Sequence, residues 1–346
     1  MAARAFITGL AGTALSGEER EFLREADPWG LILFKRNVST PSQVTELIAA
    51  CRSALGREAP VLIDQEGGRV QRLGEPHWPL YPPGAAYSKL YDRDPAAGLA
   101  AARLGARLIA HDLHTLGIDV DCLPLADVPV EGHDQVIGDR AYGERPDKVA
   151  AIAGAVARGL MNGGVLPVVK HIPGHGRATA DSHRTLPVVE TDRDTLQATD
   201  FAAFRALGGV PLGMTAHVVF SAIDPTHPAT TSATMVRDVI RGFCGFRGLL
   251  MSDDISMGAL SGSIFERSRA AIAAGCDVVL HCSGEIAEMR DVARAVPVLA
   301  GAAAQRSELA LSQRGRPSEF DAEAGRRTFE EMLAPVWPQA QQVATA

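Results

Sequence analysis

The chain has 346 residues, of which 46% are hydrophobic and 22% are charged, a composition that is ordinary for a soluble globular enzyme. Its formal net charge of −7 argues against a general nucleic-acid-binding or acidic-membrane-binding surface. Because no apolar run reaches about 18 residues and the first residues lack an apolar signal core, we expect no membrane span and a cytoplasmic location.

Eight short apolar runs, each followed by a stretch with helical spacing, predict eight βα units. The predicted strands are Ala5–Thr8, Leu31–Phe34, Val61–Ile63, Ile118–Cys122, Leu166–Val169, Leu212–Thr215, Leu249–Met251 and Val278–His281. Most of these runs are continuous in Val, Ile and Leu, which is typical of parallel strands buried on both faces. The predicted helices begin near Gly17, Thr40, Pro95, Pro146, Thr195, Ser232, Ile264 and Glu285.

No Pro-rich or Ser-rich linker divides the series, so we predict an α/β fold of one (β/α)8 TIM-type barrel spanning residues 1–346. A doubly wound open sheet is the structural alternative. Glycines between helices and strands, such as Gly30, Gly117 and Gly275, predict left-handed helix ends. A terminal helix is expected from about Glu319, followed by a tail that frays from about residue 335.

The five cysteines are odd in number, scattered, and form no Cys-x-x-Cys pair: Cys51, Cys122, Cys244, Cys276 and Cys282. This pattern favours reduced thiols over a disulfide framework or a structural zinc site.

Polar residues follow several of the apolar runs directly, where a barrel of this type places its chemistry. The segments are Asp64-Gln65-Glu66-Gly67-Gly68-Arg69, Lys170-His171, Ala216-His217 and Ser252-Asp253-Asp254. Carboxylates and guanidinium groups in the first segment, together with Arg140, could clamp vicinal hydroxyls by paired hydrogen bonds. The alternative is an internal ion-pair network that braces the barrel mouth.

The densest cluster of titratable groups lies between Lys170 and His183, on a stretch whose glycines and proline indicate a loop. Asp181 and His183 are two positions apart, so the carboxylate could orient the imidazole as an acid and base. The alternative is solvated loop histidines in a simple turn. In Ser252-Asp253-Asp254, one carboxylate could face the barrel axis as a nucleophile while the other stays in the wall. Here the alternative is a helix N-cap.

These segments together resemble glycoside hydrolase family 3, in its bacterial single-domain β-N-acetylglucosaminidase branch. The matching motifs run in one order over about residues 5 to 285: 30–37, 63–72, 137–140, 170–176, 181–183, 215–217 and 252–257. One departure is visible, because the family usually shows Asp-Thr after Gly174-His175-Gly176, where this chain has Arg177-Ala178-Thr179. The departure puts the resting position of this loop in question.

The resemblance implies a retaining double displacement with Asp253 as nucleophile, His183 as acid/base and Asp181 as its partner. It assigns hydroxyl binding to Asp64, Arg72, Arg140, Lys170 and His171. It further implies release of N-acetylglucosamine from a 1,6-anhydro-N-acetylmuramyl (peptide) fragment in peptidoglycan recycling. We expect a monomer that acts on this small-molecule muropeptide or another N-acetylglucosamine glycoside, with no cofactor, metal, nucleic acid or membrane partner. We also expect the 174–183 loop to be mobile without ligand.

Three other functions stay open at this point. One is a metal-dependent hydrolase with His171, His175, Asp181 and His183 as ligands. Another is a sugar-binding protein without catalysis. The third is phosphorolysis by the same residues, since a neutral imidazole tolerates an anionic acceptor.

Overall fold

Eight parallel strands close into a barrel in the computed structural model, which describes residues 3–132, 136–178, 180–182 and 185–338. Each strand pairs with its neighbours in the chain, and the last strand pairs with the first. The strands are β1 (Arg4–Thr8), β2 (Pro28–Leu33), β3 (Val61–Ile63), β4 (Val120–Asp121), β5 (Leu166–Ile172), β6 (Leu212–Thr215), β7 (Leu249–Asp254) and β8 (Val278–His281). The predicted (β/α)8 fold is therefore confirmed, and the open sheet is excluded.

Helices surround the barrel. They are α1 (Gly17–Ala26), α2 (Pro41–Leu55), α3 (Gly84–Arg93), α4 (Pro95–Thr115), α5 (Pro146–Asn162), α6 (Arg193–Ala198), α7 (Asp200–Arg205), α8 (Ile264–Ala274), α9 (Ile286–Ala295), α10 (Gly301–Ser312) and α11 (Ala322–Leu333). Those that were predicted begin within about three residues of the expected positions, whereas α3, α7 and α10 were not predicted. The helix predicted near Ser232 is a π-helix over Met235–Phe243. No helix in the described ranges is both long enough and apolar enough to cross a membrane.

Local capping explains several of these boundaries. The Thr40 hydroxyl accepts a hydrogen bond from the Gln43 N–H, and Pro41 occupies the first turn of α2, where a missing N–H costs nothing. Ser16 and Glu19 form a reciprocal capping box at the start of α1. Part of the tail predicted to fray from about residue 335 lies outside the described residues, which end at 338.

The glycine prediction is correct in part. Gly117 and Gly275 have left-handed φ angles of 86° and 113° near helix ends. Gly30 does not end a helix, because α1 already ends at Ala26 with Asp27 in the left-handed conformation. Gly30 lies inside β2, where a Cβ atom would sit 3.0 Å from the Pro60 carbonyl oxygen. Close strand packing therefore explains this glycine.

The pattern of burial along the strands shows that accessible polar residues lie at the carboxyl ends of the strands. All six residues of β2 are buried, in keeping with their apolar character. All seven residues of β5 are buried as well, including Lys170 and His171 near its carboxyl end. In β7 the first four residues are buried, and only Asp253 and Asp254 at its carboxyl end are partly accessible. The fourth strand is shorter than predicted; the Asp119 carboxylate before it accepts the Val61 N–H at 2.7 Å.

Candidate active site

A cavity of about 390 Å³ opens at the carboxyl ends of the barrel strands. Seven residues predicted for the site line it: Asp64, Arg72, Arg140, Lys170, His171, Asp181 and Asp253. The remaining predicted residue, His183, lies outside the described residues. Three charged groups of the lining come from alternate strands, since Asp64 follows β3, Lys170 belongs to β5 and Asp253 belongs to β7.

Lys170 is the central cation of the cavity floor and is almost fully buried. Its Nζ lies 2.9 Å from Asp64 Oδ1 and 2.6 Å from Glu66 Oε1. Burial alone would raise the pKa of Asp64, but Lys170 and Arg72 outweigh burial and hold that pKa well below its usual range. Burial would likewise lower the pKa of Lys170, but the two carboxylates raise it. Burial would also raise the pKa of Glu66, but Arg140 and Lys170 lower it, so Asp64, Glu66 and Lys170 are all charged at neutral pH.

Two arginines complete this ion-pair network. Arg140 grips Glu66 with two hydrogen bonds, Nε to Oε2 and Nη2 to Oε1, both 2.9 Å long. Arg72 Nη2 lies 3.0 Å from Asp64 Oδ2. The network does brace the barrel mouth, as the structural alternative held, yet its members also line the cavity. Rigid charged groups of this kind are suited to binding vicinal hydroxyls.

His171 is held by Asp127, a buried carboxylate from the loop after β4. Its ring Nδ1 lies 2.8 Å from Asp127 Oδ2, and its backbone N–H donates to the same side chain. Burial would raise the pKa of Asp127, but the neighbouring His171 outweighs burial and lowers it. An ionised Asp127 can only accept, so the proton of a neutral His171 ring lies on Nδ1 and the ring Nε2 is the unprotonated nitrogen.

Asp253 lies at the cavity wall beside His171 and His217. Burial would raise its pKa, but these two histidines and the hydrogen bond from the Asp254 N–H lower it. That N–H donates to Asp253 Oδ1 at 2.8 Å, and the Asp253 N–H donates to Thr215 Oγ1 at 3.3 Å. Asp253 is consequently an ionised carboxylate of fixed position.

The adjacent acid has a different environment. Asp254 Oδ1 accepts the backbone N–H groups of Ser256 at 3.0 Å and Cys282 at 3.1 Å, and Oδ2 accepts the Ser256 hydroxyl at 2.5 Å. These bonds join the end of β7 to the segment after β8. Asp254 therefore belongs to the barrel wall, and the helix N-cap alternative does not describe either acid.

The loop after β5 is fastened to the barrel at its base. Arg177 Nε lies 2.6 Å from Oδ2 of the buried Asp200 at the start of α7, and Arg177 Nη2 donates to Thr199 Oγ1. Farther along, the Ala259 N–H donates to the Ser182 carbonyl oxygen at 3.1 Å. The residue that departs from the family pattern is thus an anchor of the loop base.

Three residues of this arrangement were not singled out from the sequence: Glu66, Asp127 and Ser182. Glu66 stood in a recognised motif, and only the barrel closure reveals its pairing with Lys170 and Arg140. Asp127 lies six residues beyond the short fourth strand, too far for its position at a strand end to signal it. Ser182 stands between two residues that were predicted, and its own role depends on a contact described below.

A (β/α)8 barrel with an ionised carboxylate and a network of paired charges at the carboxyl ends of its strands is typical of the class of barrel glycosidases. The glycosyl hydrolase family 3 N-terminal domain model matches residues 7–309. A β-hexosaminidase from Alkalilimnicola ehrlichii is 42% identical over 281 residues, covering 80% of this chain and 79% of that protein. The chain belongs to glycoside hydrolase family 3 and is a glycoside hydrolase.

Solved structures agree with this membership. NagZ from Neisseria gonorrhoeae in complex with N-trifluoroacetyl-D-glucosamine has a TM-score of 0.83 and 30% identity, with 99% of each chain covered. The structure of the same Neisseria protein in complex with a zinc ion has a TM-score of 0.82 at the same identity and coverage.

Proposed function

We propose that this chain hydrolyses terminal β-linked N-acetylglucosamine from its glycosides. The relatives support the sugar, because one is named a β-hexosaminidase and another was solved with an N-acylated glucosamine. The observation that carries the proposal is the position of Asp253, an ionised carboxylate in the same cavity as the Lys170 network. The cavity volume lies within the range of about 300–1,000 Å³ that small-molecule sites span.

The terminal sugar would be bound through its hydroxyl groups. Asp64 and the Lys170 ammonium offer acceptors and donors side by side, and Arg72 and Arg140 add planar donors at the rim. In a neutral His171 ring the Nε2 would accept a hydrogen bond, since its Nδ1–H is committed to Asp127. Because all these groups hold one another in place, little ordering is needed when the sugar binds.

The proposed chemistry is a double displacement. A carboxylate oxygen of Asp253 attacks the anomeric carbon as the glycosidic C–O bond breaks, and the departing oxygen takes a proton from the imidazolium of His183. The neutral imidazole then removes a proton from water, which attacks the anomeric carbon and releases Asp253. After the two displacements Asp253 is again a free carboxylate and His183 is again protonated. The product keeps the β-configuration, and no cofactor is consumed.

Asp181 would be the partner of His183 in this scheme. Asp181 lines the cavity, in keeping with a role next to the leaving group. A histidine begins with a pKa of about 6.5, so it needs little adjustment to give and take a proton near neutral pH. A neutral imidazole also brings no negative charge toward an anionic aglycone. This property suits the 1,6-anhydro-N-acetylmuramyl (peptide) fragment that we propose as the substrate in cytoplasmic peptidoglycan recycling.

Mass spectrometry of the intact protein with a fluorinated sugar donor tests the covalent route. The donor is a 5-fluoro sugar where the C2 acetamido group is kept, or a 2-fluoro glucosyl donor in which fluorine replaces that group. We expect one glycosyl adduct on the peptide that contains Asp253, and none in the Asp253→Ala variant. An adduct on another residue would defeat the assignment, and a product of inverted anomeric configuration would defeat the whole route. Running the reaction with and without phosphate separates hydrolysis from phosphorolysis by the product formed.

Metal dependence is tested separately. Among the described residues, no three or more His, Cys, Asp or Glu side chains are grouped so that they could hold a metal ion. We expect turnover to be unchanged after treatment with a chelator and dialysis. Loss of turnover that returns with added Zn²⁺ would favour the metal-dependent mechanism instead.

A further inference from the structure

His175 is a buried residue of the cavity wall to which the proposed chemistry gives no task. Only 3% of its surface is exposed. Its backbone N–H donates to Asp127 Oδ1 at 2.7 Å, so the same carboxylate that holds His171 also fixes the base of this residue. Its ring Nε2 lies 3.0 Å from Ser182 Oγ. The ring therefore links the barrel wall to the loop residue next to Asp181.

The surroundings of the ring determine its tautomer. Among the described residues, the Nδ1 atom of His175 is buried without a hydrogen-bond partner. A buried N–H without an acceptor is rarer and costlier than an unfilled lone pair. The proton therefore belongs on Nε2, which donates it to the Ser182 hydroxyl oxygen. Burial supports a neutral ring, since it lowers the pKa of His175 to about 4.

Ser182 is held from two sides. Its carbonyl oxygen accepts the Ala259 N–H at 3.1 Å, and its hydroxyl oxygen accepts the hydrogen of His175. A serine hydroxyl has one hydrogen and two lone pairs, so this arrangement leaves the hydrogen of Ser182 available for an acceptor. Both Ser182 and His175 line the cavity, where hydroxyl, glycosidic and carbonyl oxygens of a bound glycoside would be such acceptors.

We propose that His175 is a positioning residue that orients Ser182, and that the Ser182 hydroxyl donates a hydrogen bond to the glycoside in the cavity. The identity of the glycoside rests on the proposed function, but the His175–Ser182 hydrogen bond does not. Because the bond links the Ser182 side chain to the barrel wall, its loss would also loosen the chain beside Asp181.

Kinetics of single and double variants test the proposal. Loss of one neutral hydrogen bond to the substrate predicts a drop of about tenfold in kcat/KM for Ser182→Ala. His175→Phe, which keeps a ring but cannot donate, should give a similar drop. The double variant should be about tenfold impaired rather than a hundredfold, since both changes remove one unit. Ser182→Thr retains the hydroxyl and should recover most of the activity.

A matched control separates this role from a structural one. Ser261→Ala removes an exposed serine from the loop after β7 and should leave kcat/KM unchanged. The melting temperatures of Ser182→Ala and Ser182→Thr should agree within a few degrees, so that the kinetic difference is not one of folding. Wild-type kinetics for Ser182→Ala, or additive losses in the double variant, would overturn the proposal.

An experiment independent of turnover tests the tautomer. In ¹⁵N spectra of the histidine rings at pH 7, the signals absent from His175→Phe should show a neutral ring protonated on Nε2. Ser182→Ala should shift the Nε2 signal. A ring protonated on Nδ1, or a charged ring, would defeat this inference even in an active enzyme. A wild-type chain inert toward N-acetyl-β-glucosaminides would instead defeat the proposed function and the substrate contact, leaving the spectra to decide the His175–Ser182 bond.

Discussion

Asp127 Oδ2 lies 2.8 Å from His171 Nδ1, so a buried carboxylate sets the orientation of an imidazole at the floor of the cavity. The same side chain accepts the backbone N–H groups of His171 and His175. Two histidines with different surroundings therefore depend on one acid that does not itself line the cavity.

Replacing Asp127 by asparagine should weaken the hydrogen bonds that hold His171 and His175 while keeping a side chain of nearly the same size. In Asp127→Asn the neutral amide has only one oxygen. It cannot accept hydrogen bonds from both backbone N–H groups and from the His171 ring, and those that remain are no longer charge-assisted. We expect kcat/KM to fall by about 10- to 100-fold, the equivalent of about 1.5–3 kcal/mol for a charge-assisted hydrogen bond. Steady-state kinetics on a chromogenic N-acetyl-β-glucosaminide measures the loss. An unchanged kcat/KM would show that the orientation of His171 is unimportant.

The two adjacent acids of β7 should respond differently to substitution. Both acids line the cavity, but Asp253 is the proposed nucleophile, so Asp253→Ala should reduce kcat by several orders of magnitude with little change in the unfolding transition. Asp254→Ala removes the acceptor of the Ser256 and Cys282 N–H groups, so it should lower the free energy of unfolding by about 2 kcal/mol or more. Turnover and urea unfolding of both variants make the comparison, and interchanged effects would reverse the assignment.

The proposed role of His183 predicts a dependence on the leaving group. His183→Ala should impair an alkyl or disaccharide substrate much more than an activated aryl glycoside, because a good leaving group departs without a proton. The measurement is kcat/KM on the two substrate types in the wild type and the variant. Equal losses on both would contradict an acid/base role.

The ion-pair network predicts a pH dependence of stability. The pKa of Asp64 and that of Glu66 are lowered in the folded protein, so both carboxylates stabilise the fold at neutral pH. This contribution is complete above the unfolded values of about 4 and disappears as the pH falls through the lower folded values. Glu66→Gln removes the negative charge that pairs with Arg140. We expect the free energy of unfolding to fall by about 3 kcal/mol at pH 7. Urea unfolding from pH 7 to pH 3 should show this difference narrowing, whereas a constant difference would exclude an ionic origin.

The loop anchor can be tested by restoring the family's usual residue. Arg177→Asp would place a second carboxylate beside the buried Asp200. We expect the free energy of unfolding to fall by about 3 kcal/mol. The exchanged pair, Arg177→Asp with Asp200→Arg, should recover part of it. Thermal unfolding and kcat of the two variants report the effect. If Arg177→Asp has wild-type stability, the ion pair contributes nothing to the loop base.

The barrel could be predicted from local sequence because its strands are continuous apolar runs and its charged residues follow them directly. Lys170, directly after Pro-Val-Val, and Asp253, one residue after Leu-Leu-Met, are such cases. Residues at the ends of different parallel strands must meet at one face, so their grouping required no knowledge of packing.

Other features depend on contacts that no local pattern encodes. The pairing of Glu66 with Arg140 joins residues 74 positions apart, and the His175–Ser182 bond requires the loop to fold back on the wall. The π-helical form of Met235–Phe243 was likewise not predicted. Hydrophobic spacing predicts a helix but does not show whether its hydrogen bonds join residues four or five positions apart. Gly30 was predicted to end a helix but lies in a strand. Glycine is found both at left-handed helix ends and where two strands pack closely, so the residue type alone does not distinguish the two.

The alternate-strand origin of Asp64, Lys170 and Asp253 makes folding and ligand binding thermodynamically linked. Asp64 and Lys170 are 106 residues apart and Lys170 and Asp253 are 83 residues apart, so no half-barrel fragment holds all three groups. An occupant of the cavity at 100 times its Kd would add about 2.7 kcal/mol to the stability of the closed form. A shift in melting temperature therefore serves as a screen for ligands, even in variants that no longer turn substrate over.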